Sequence, residues 1–262
     1  MYPKLLHIYG SLYIQSYGVC IALGITLFGW LIFKDPRRRA LVTKDQFHTL
    51  IMIGILSGVI GGRLLYFFTE GRFTTVFDFF EFWQGGFAVL GSLLGVLATI
   101  PWFLKKYSIP IVPVLDCVAL YAPLLQSISR IGCFLAGCCY GKETLVSWAI
   151  TYTNHECMAP LNIPLHPTQL YSALALGLIF CFLYFMQRFI KRDGQLLALY
   201  LILMGFERFF IDFFRDDQTY FSNKFSYFSD HQCIAFMIMF CAALYLVTRP
   251  QRSQKYVVGA EA

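Results

Sequence analysis

Apolar residues run along this chain in stretches of about twenty, the length a helix needs to cross a bilayer. Such stretches lie near residues 9–33, 46–68, 85–104, 113–135, 165–187, 194–214 and 227–248, with polar segments between them. Backbone groups in a bilayer have no water to bond, so runs of this kind close their hydrogen bonds as helices. The pattern predicts an all-α, polytopic membrane protein with seven transmembrane helices. Most linkers are short, the exceptions being 142–164 and 215–226. No repeat, low-complexity tract or soluble domain interrupts the series, so residues 1–262 read as one membrane-embedded domain. The first stretch has neither a basic n-region nor an Ala-x-Ala site, and reads as a retained helix rather than a cleaved signal.

Composition agrees: 58% of the 262 residues are hydrophobic and only 14% charged. The basic residues then orient the helices, since Lys and Arg collect on the cytoplasmic side. Lys34, Arg37, Arg38, Arg39 and Lys44 follow the first span, and Lys105 and Lys106 the third. Arg188, Lys191 and Arg192 follow the fifth, and Arg249, Arg252 and Lys255 the seventh. The opposite side carries Lys4, Arg72, Lys142, Arg215 and Lys224. The alternation puts the N-terminus outside and the C-terminus in the cytoplasm. It also accounts for the net charge of +6 without nucleic acid. The segment Lys34-Asp-Pro-Arg-Arg-Arg39 reads as a topology anchor.

Three of the 21 basic residues fall inside the spans: Arg63, Arg130 and Arg208. An arginine at the centre of a membrane helix costs about 3 kcal/mol on insertion scales, and such residues commonly mark functional sites. Arg63 and Arg130 lie about 17 residues into their spans and Arg208 about 14, so a common helical rise brings all three to the outer half of the bilayer. One polar cavity open to the outer leaflet is the simplest reading, with a carboxylate or phosphate as ligand. Asp212 is four residues beyond Arg208 and shares its helix face. Asp116 is 14 residues before Arg130, about 20 Å away along a helix, and reaches it only if the helix breaks near Pro123.

Further polar residues gather at the same level. Tyr17 lies in Ser16-Tyr17-Gly18, and Gln84-Gly85-Gly86-Phe87-Ala88-Val89-Leu90-Gly91-Ser92 opens the third span. His166 begins the fifth, followed by Pro167, which suits a first helical turn. Gly54, Gly58 and Gly62 form a small-residue stripe suited to close helix packing. Among the nine cysteines, Cys20, Cys117, Cys181 and Cys241 are scattered in apolar spans as core residues. Cys133, Cys138, Cys139 and Cys157 fall toward the outer side, where disulfides persist, and Cys138 or Cys139 can be paired with Cys157. Without Cys-x2-Cys pairs or His-x3-His spacing, no zinc framework is read from these positions.

The run Arg130-Ile-Gly-Cys-Phe-Leu-Ala-Gly-Cys-Cys-Tyr-Gly141 resembles the arginine-led signature of the bacterial prolipoprotein diacylglyceryl transferases. Ser16-Tyr17-Gly18, Gly61-Gly62-Arg63, Gln84-Gly85-Gly86, Asp116, His166-Pro-Thr-Gln-Leu-Tyr171 and Arg208-Phe-Phe-Ile-Asp-Phe-Phe-Arg215 follow in the family's order. The resemblance covers nearly the whole chain. It implies a multi-pass enzyme of the bacterial inner membrane that acts in lipoprotein biosynthesis. Such an enzyme moves the diacylglyceryl group of phosphatidylglycerol to the lipobox cysteine of a prolipoprotein and releases glycerol phosphate. Its partners would be phosphatidylglycerol, the prolipoprotein signal peptide and membrane lipids, with no nucleic acid, cofactor or metal. For that reaction Arg208 is a catalytic candidate as a cation for the phosphate, with His166 and Tyr17 as catalytic candidates at the right depth. Arg130, Arg63, Gly86, Gly91 and Gly141 would bind phosphatidylglycerol.

Four positions depart from the family pattern. The family's usual histidine in the third span is Leu90, the asparagine after the signature arginine is Cys133, the later glutamate is Cys138, and the glutamate after His-Pro-x-Gln-Leu-Tyr is Ser172. Leucine cannot take a proton from an incoming thiol. His166 or Tyr17 must then serve as base, or the acceptor must arrive as thiolate. The alternative reading is a paralogue that keeps the phospholipid site but is non-catalytic or acts on a different acceptor.

Overall fold

The structure, a computed structural model, describes residues 2–9, 12–70, 88–216 and 228–248. Gly86 and its segment 84–87, with Arg72, Lys224, Arg249, Arg252 and Lys255, lie outside the described residues. The elements in order are β1 (Lys4–Tyr9), β2 (Leu12–Gln15), α1 (Ser16–Lys34), α2 (Pro36–Leu41), α3 (Lys44–Glu70), α4 (Val89–Lys106), α5 (Ile111–Ala136), β3 (Ile150–Thr151), β4 (Pro164–Leu165), α6 (Thr168–Met186), α7 (Gln195–Asp212) and α8 (Asp230–Thr248). Five helices, α1, α3, α5, α6 and α8, are long and apolar enough to cross a membrane. The protein is a polytopic helical membrane protein.

Its polarity is that of a bilayer protein. Leu23, Trp30, Met52, Leu97, Leu174, Phe236 and Met237 are exposed on helix faces, while Ser16, Arg63, Asp116, Gln169, Glu207 and Asp212 are buried. In water such an apolar exterior would drive aggregation. In lipid it is the solvated surface, and helices associate instead through close packing and polar contacts.

Two expected boundaries moved. The first apolar stretch becomes helical only at Ser16, because aromatic Tyr9 and Tyr13 and β-branched Ile14 favour strand. The strands β1 and β2 pair in a two-stranded sheet, and the Ser16 amide and hydroxyl both donate to the Pro3 carbonyl, at 2.9 and 3.1 Å. The basic anchor is also more ordered than a linker. Asp35 caps α2 by accepting from the Arg37 amide at 2.8 Å and pairs with the Arg37 guanidinium at 2.7 Å, with Pro36 in the first turn.

The chain divides into two compact units. Among the described residues, 7–9, 12–13, 33–70 and 88–114 belong to one, which contains α2, α3 and α4. A capping box starts α3: the Gln46 amide donates to Thr43 Oγ1 at 3.3 Å, and the Thr43 amide to Gln46 Oε1 at 3.1 Å. α3 then packs on α4 at backbone distance. A side chain at Gly61 would strike the Gly91 carbonyl, one at Gly91 the Gly61 carbonyl, and one at Gly95 the Ser57 carbonyl. The expected small-residue stripe is thus displaced by one helix position. Gly54 and Gly58 make only ordinary contacts, with Ile100 and Val96.

Among the described residues, the other unit holds 2–6, 14–32, 115–216 and 228–248, including α6, α7, α8 and most of α1 and α5. α7 packs against both α6 and α8. A second capping box opens α8, with the Gln232 amide donating to Ser229 Oγ at 3.2 Å and the Ser229 amide to Gln232 Oε1 at 2.9 Å. The long segment between α5 and α6 is folded. β3 and β4 pair antiparallel, Ile150 opposite Leu165, and Tyr152, Ala159 and Leu165 form a small core. Burial pushes the Tyr152 hydroxyl up to about 12.

Candidate active site

Arg208, Asp212 and Arg215 are spaced i, i+4, i+7, which places them along one face of α7 and its continuation. The Arg208–Asp212 pair is loose at 3.9 Å, with the arginine side chain 23% exposed and the aspartate 1%. Ser229 donates to the aspartate's Oδ2. Arg215 is buried just beyond the helix end, where its amide donates to the Asp212 carbonyl at 3.2 Å. By sequence Arg215 counts among the basic residues outside the spans, and the structure adds that its side chain is buried. The seven-residue spacing from Arg208 is the sequence signal that would have found it. The charges of Arg215 and Arg130 both act on Arg208, opposed by Asp212 and Glu207. Arg130, Arg208 and Arg215 therefore share one electrostatic field with two carboxylates.

Arg130 stands near the end of α5 and forms no salt bridge among the described residues. The helix is continuous through Pro123, so Asp116 stays at the far end, as its spacing requires. There Asp116 caps α7, accepting from the amides of Gly194 at 2.5 Å and Leu197 at 2.7 Å. A carboxylate is favoured at a helix N-terminus, where amides are unpaired. Near Arg130, α1 approaches closely: a side chain at Gly132 would meet Cys20 Cβ at 2.9 Å and Tyr17 Cδ2 at 3.2 Å. Tyr17 accordingly feels the thiols of Cys133, Cys138 and Cys139 and the charge of Arg130.

These thiols are gathered by the way α5 ends. Gly137 adopts φ +74°, its amide donates to the Phe134 carbonyl at 3.3 Å, and the Cys138 amide to the Cys133 carbonyl at 3.1 Å. This is a Schellman stop, in which the residue after the glycine folds back on the third residue from the helix end. Here both of those residues are cysteines. Cys139, at φ +58°, turns back as well, and the three sulfurs lie within 4.8 Å of one another. Hydrogen bonding with the Cys133 and Cys138 thiols, and then the charges of Arg215 and Arg130, lower the Cys139 thiol pKa. All nine cysteines are unbridged, and Cys157 abuts Gly137 rather than joining the cluster. Linear spacing did not reveal this convergence, because it depends on the turn at Gly137.

The first turn of α6 holds the cysteine turn in place. Gln169 Nε2 donates to the Cys138 carbonyl at 2.7 Å, and Thr168 Oγ1 to the Cys139 carbonyl at 2.8 Å. The Gly141 amide donates to the His166 carbonyl at 3.0 Å, the His166 amide to the Lys142 carbonyl at 3.0 Å, and the Lys142 amide to the Phe214 carbonyl at 2.8 Å. Gly141 is a junction, where an added Cβ would lie 2.6 Å from His166 Cβ and 2.8 Å from the Phe214 oxygen. His166 Nδ1 lies 3.2 Å from the Tyr171 hydroxyl, which accepts from Trp148 Nε1 at 2.7 Å. His166 has Nε2 available as a base only in the tautomer whose Nδ1–H donates to Tyr171. Ser172 donates to buried Glu207 on α7. The carboxylate that the family pattern puts at 172 is thus supplied by the facing helix.

The remaining expected residues belong to the other unit. Arg63 is buried, with its guanidinium 5.3 Å from the centre of the Phe67 ring and 6.0 Å from that of Tyr66. Gly91 is a backbone packing position on α4. Leu90 is 59% exposed.

Comparison with known proteins matches residues 3–248 to the family model described as prolipoprotein diacylglyceryl transferase. A phosphatidylglycerol–prolipoprotein diacylglyceryl transferase of Clostridium tetani is 36% identical over 220 residues, covering 83% of this chain and 86% of the relative. A Clostridium perfringens protein named phosphatidylglycerol–prolipoprotein diacylglyceryl transferase 2 is 35% identical, covering 79% and 81%. A transferase of the same name from Paracidovorax citrulli is 29% identical, covering 83% and 82%. With its arginine-led turn, the His-Pro-Thr-Gln start of α6 and the Arg208–Arg215 face of α7 all in place, the chain belongs to the prolipoprotein diacylglyceryl transferase family.

Proposed function

We propose that this protein transfers the diacylglyceryl group of phosphatidylglycerol to the cysteine thiol of a prolipoprotein in the bacterial inner membrane. Residues 1–262 act as one domain with seven spans, α1 and α3 to α8, the N-terminus outside and the C-terminus cytoplasmic. The observation that carries this reading is the common field of Arg130, Arg208 and Arg215 beside Tyr17. In the reaction the acceptor sulfur attacks the glyceryl carbon that bears the phosphate ester. A C–S bond forms, the C–O bond breaks, and its electron pair leaves on glycerol phosphate. The thiol proton goes to a base, for which Tyr17 and His166 are the residues proposed, or is lost before attack if the acceptor arrives as thiolate. Guanidinium groups match a phosphate bidentately and stabilise charge growing on the leaving oxygen. Arg130 and Gly141 bind the phosphate, while Arg208 acts on the leaving group. The signal peptide of the exported substrate reaches the site from the membrane.

The test is complementation of a cell depleted of its own diacylglyceryl transferase. Rescue by the natural chain and none by well-inserted Arg130→Ala is the expected result. A natural chain that inserts correctly yet never rescues would overturn the proposal in favour of a phospholipid-binding paralogue.

A further inference from the structure

The turn at the end of α5 does more than stop a helix. It brings three thiols within 4.8 Å of one another, all on backbone that is already fixed. Cys133 is in the last helical turn, Cys138 is tied back to it through the amide-to-carbonyl bond, and the carbonyls of Cys138 and Cys139 are held by Gln169 and Thr168. A zinc–thiolate bond is about 2.3 Å, so thiolates around one tetrahedral zinc sit roughly 3.8 Å apart. The sulfurs would need to draw together by at most about 1 Å to reach that spacing. Three thiolates and one divalent ion carry a net charge of −1, which the nearby Arg130 and Arg215 offset.

We propose that Cys133, Cys138 and Cys139 form a three-thiolate site for one zinc ion, whose open fourth position takes the sulfur of the acceptor cysteine. The last clause rests on the transferase reading above; the metal site does not. Three protein ligands with a fourth position left for substrate is the usual form of a reactive zinc centre, in contrast to closed structural sites. Thiolate-rich sites select soft or borderline ions such as zinc over magnesium or calcium. A thiol that coordinates zinc loses its proton outright: the S–H bond is exchanged for an S–Zn bond and one proton passes to solvent. The acceptor is then held as thiolate beside Arg130. That is the form it needs in a chain with Leu90 at the family's histidine position. The fold makes Cys133 and Cys138 neighbours through the turn at Gly137.

The full chain, purified in detergent with reductant and stripped by chelator, is loaded with Zn²⁺ alone and assayed for bound metal and X-ray absorption. About one zinc per chain is expected, falling at least tenfold in C138S/C139S and unchanged in C157S. The sulfur coordination number should be three, rising to four when a lipobox peptide with a single cysteine is added. Where the double variant does not fold, C139S, which leaves the Gly137 turn intact, serves in its place. Retention of zinc by C133S/C138S/C139S would overturn the proposal. So would a disulfide among the three in protein alkylated at lysis, or a sulfur number indifferent to the peptide. No lipid enters this assay, so its failure leaves the complementation result standing, and a failed complementation leaves the metal result standing.

Discussion

The α3–α4 pair and the junction of α5, α6 and α7 hold membrane helices together by opposite means. Between α3 and α4 the side chains are removed: Gly61, Gly91, Gly95 and Ser57 bring backbone onto backbone. At the α5–α6–α7 junction polar side chains do the joining. Asp116 of α5 caps α7, Ser172 of α6 bonds Glu207, and Gln169 and Thr168 reach the carbonyls of the cysteine turn. Lipid offers no hydrophobic drive between helices, so each pair needs either dispersion at close range or hydrogen bonds. The first solution has little tolerance for added volume and contributes no chemistry at the contact. The second leaves ionisable groups in a buried setting, where they can act on a ligand. Only the second builds a site.

The comparison breaks most visibly at the arginines. Arg130→Ala and Arg208→Ala should each lower transfer about 10²- to 10³-fold, the range seen when one group stabilising developing charge is lost. Both variants should keep their detergent unfolding transitions, as checked by thermal denaturation alongside a radiolabelled lipid-transfer assay. The glycine contact should respond the other way. Gly91→Leu drives a side chain into the Gly61 carbonyl and Leu65 Cβ, destabilising the fold by about 1–3 kcal/mol or more. A lowered melting temperature and poor insertion are the readouts.

Smaller effects sharpen the picture. Asp116→Ala removes the acceptor from two amides of α7 and should cost about 1–2 kcal/mol, most of it recovered in Asp116→Asn. Hydrogen exchange at the start of α7 would register the difference. The smallest effect concerns Tyr152, whose hydroxyl burial pushes from 10.0 up to about 12. A tyrosine with a raised folded pKa favours the neutral form, so its contribution to stability is intact below pH 10 and fades as the pH rises toward 12. Ultraviolet titration of the natural chain against Tyr152→Phe should show one hydroxyl ionising near 12 in the difference curve. A difference curve centred at 10 would count against the burial.

Much of the fold is local and was readable as such. Runs of apolar residues locate the helices because a bilayer demands length and hydrophobicity from each one separately. Arg130 and Arg208 stand out because charge is rare in such runs. Asp116 was excluded as the partner of Arg130 by helical rise alone, and its role as the cap of α7 needed the second helix to be in place. The strands before Ser16 were missed because length and hydropathy outweighed the β-branched and aromatic composition of that stretch. Arg215 follows the apolar run and counts among the basic residues outside the spans, while its burial against Asp212 shows only in the fold.

A helical membrane protein, the cations within its spans and, through ordered motifs, its family are all legible along the linear chain. These are properties of single segments and of their order, which a linear chain carries in full. Which groups meet emerges only in the assembled fold: Ser172 with Glu207, Asp116 with the start of α7, and three cysteines around the turn at Gly137. Such meetings depend on the direction a backbone takes after a glycine of positive φ and on which helix face turns toward which. Neither is written in residue spacing, because a single dihedral at the turn determines whether thiols one and five residues apart diverge or converge.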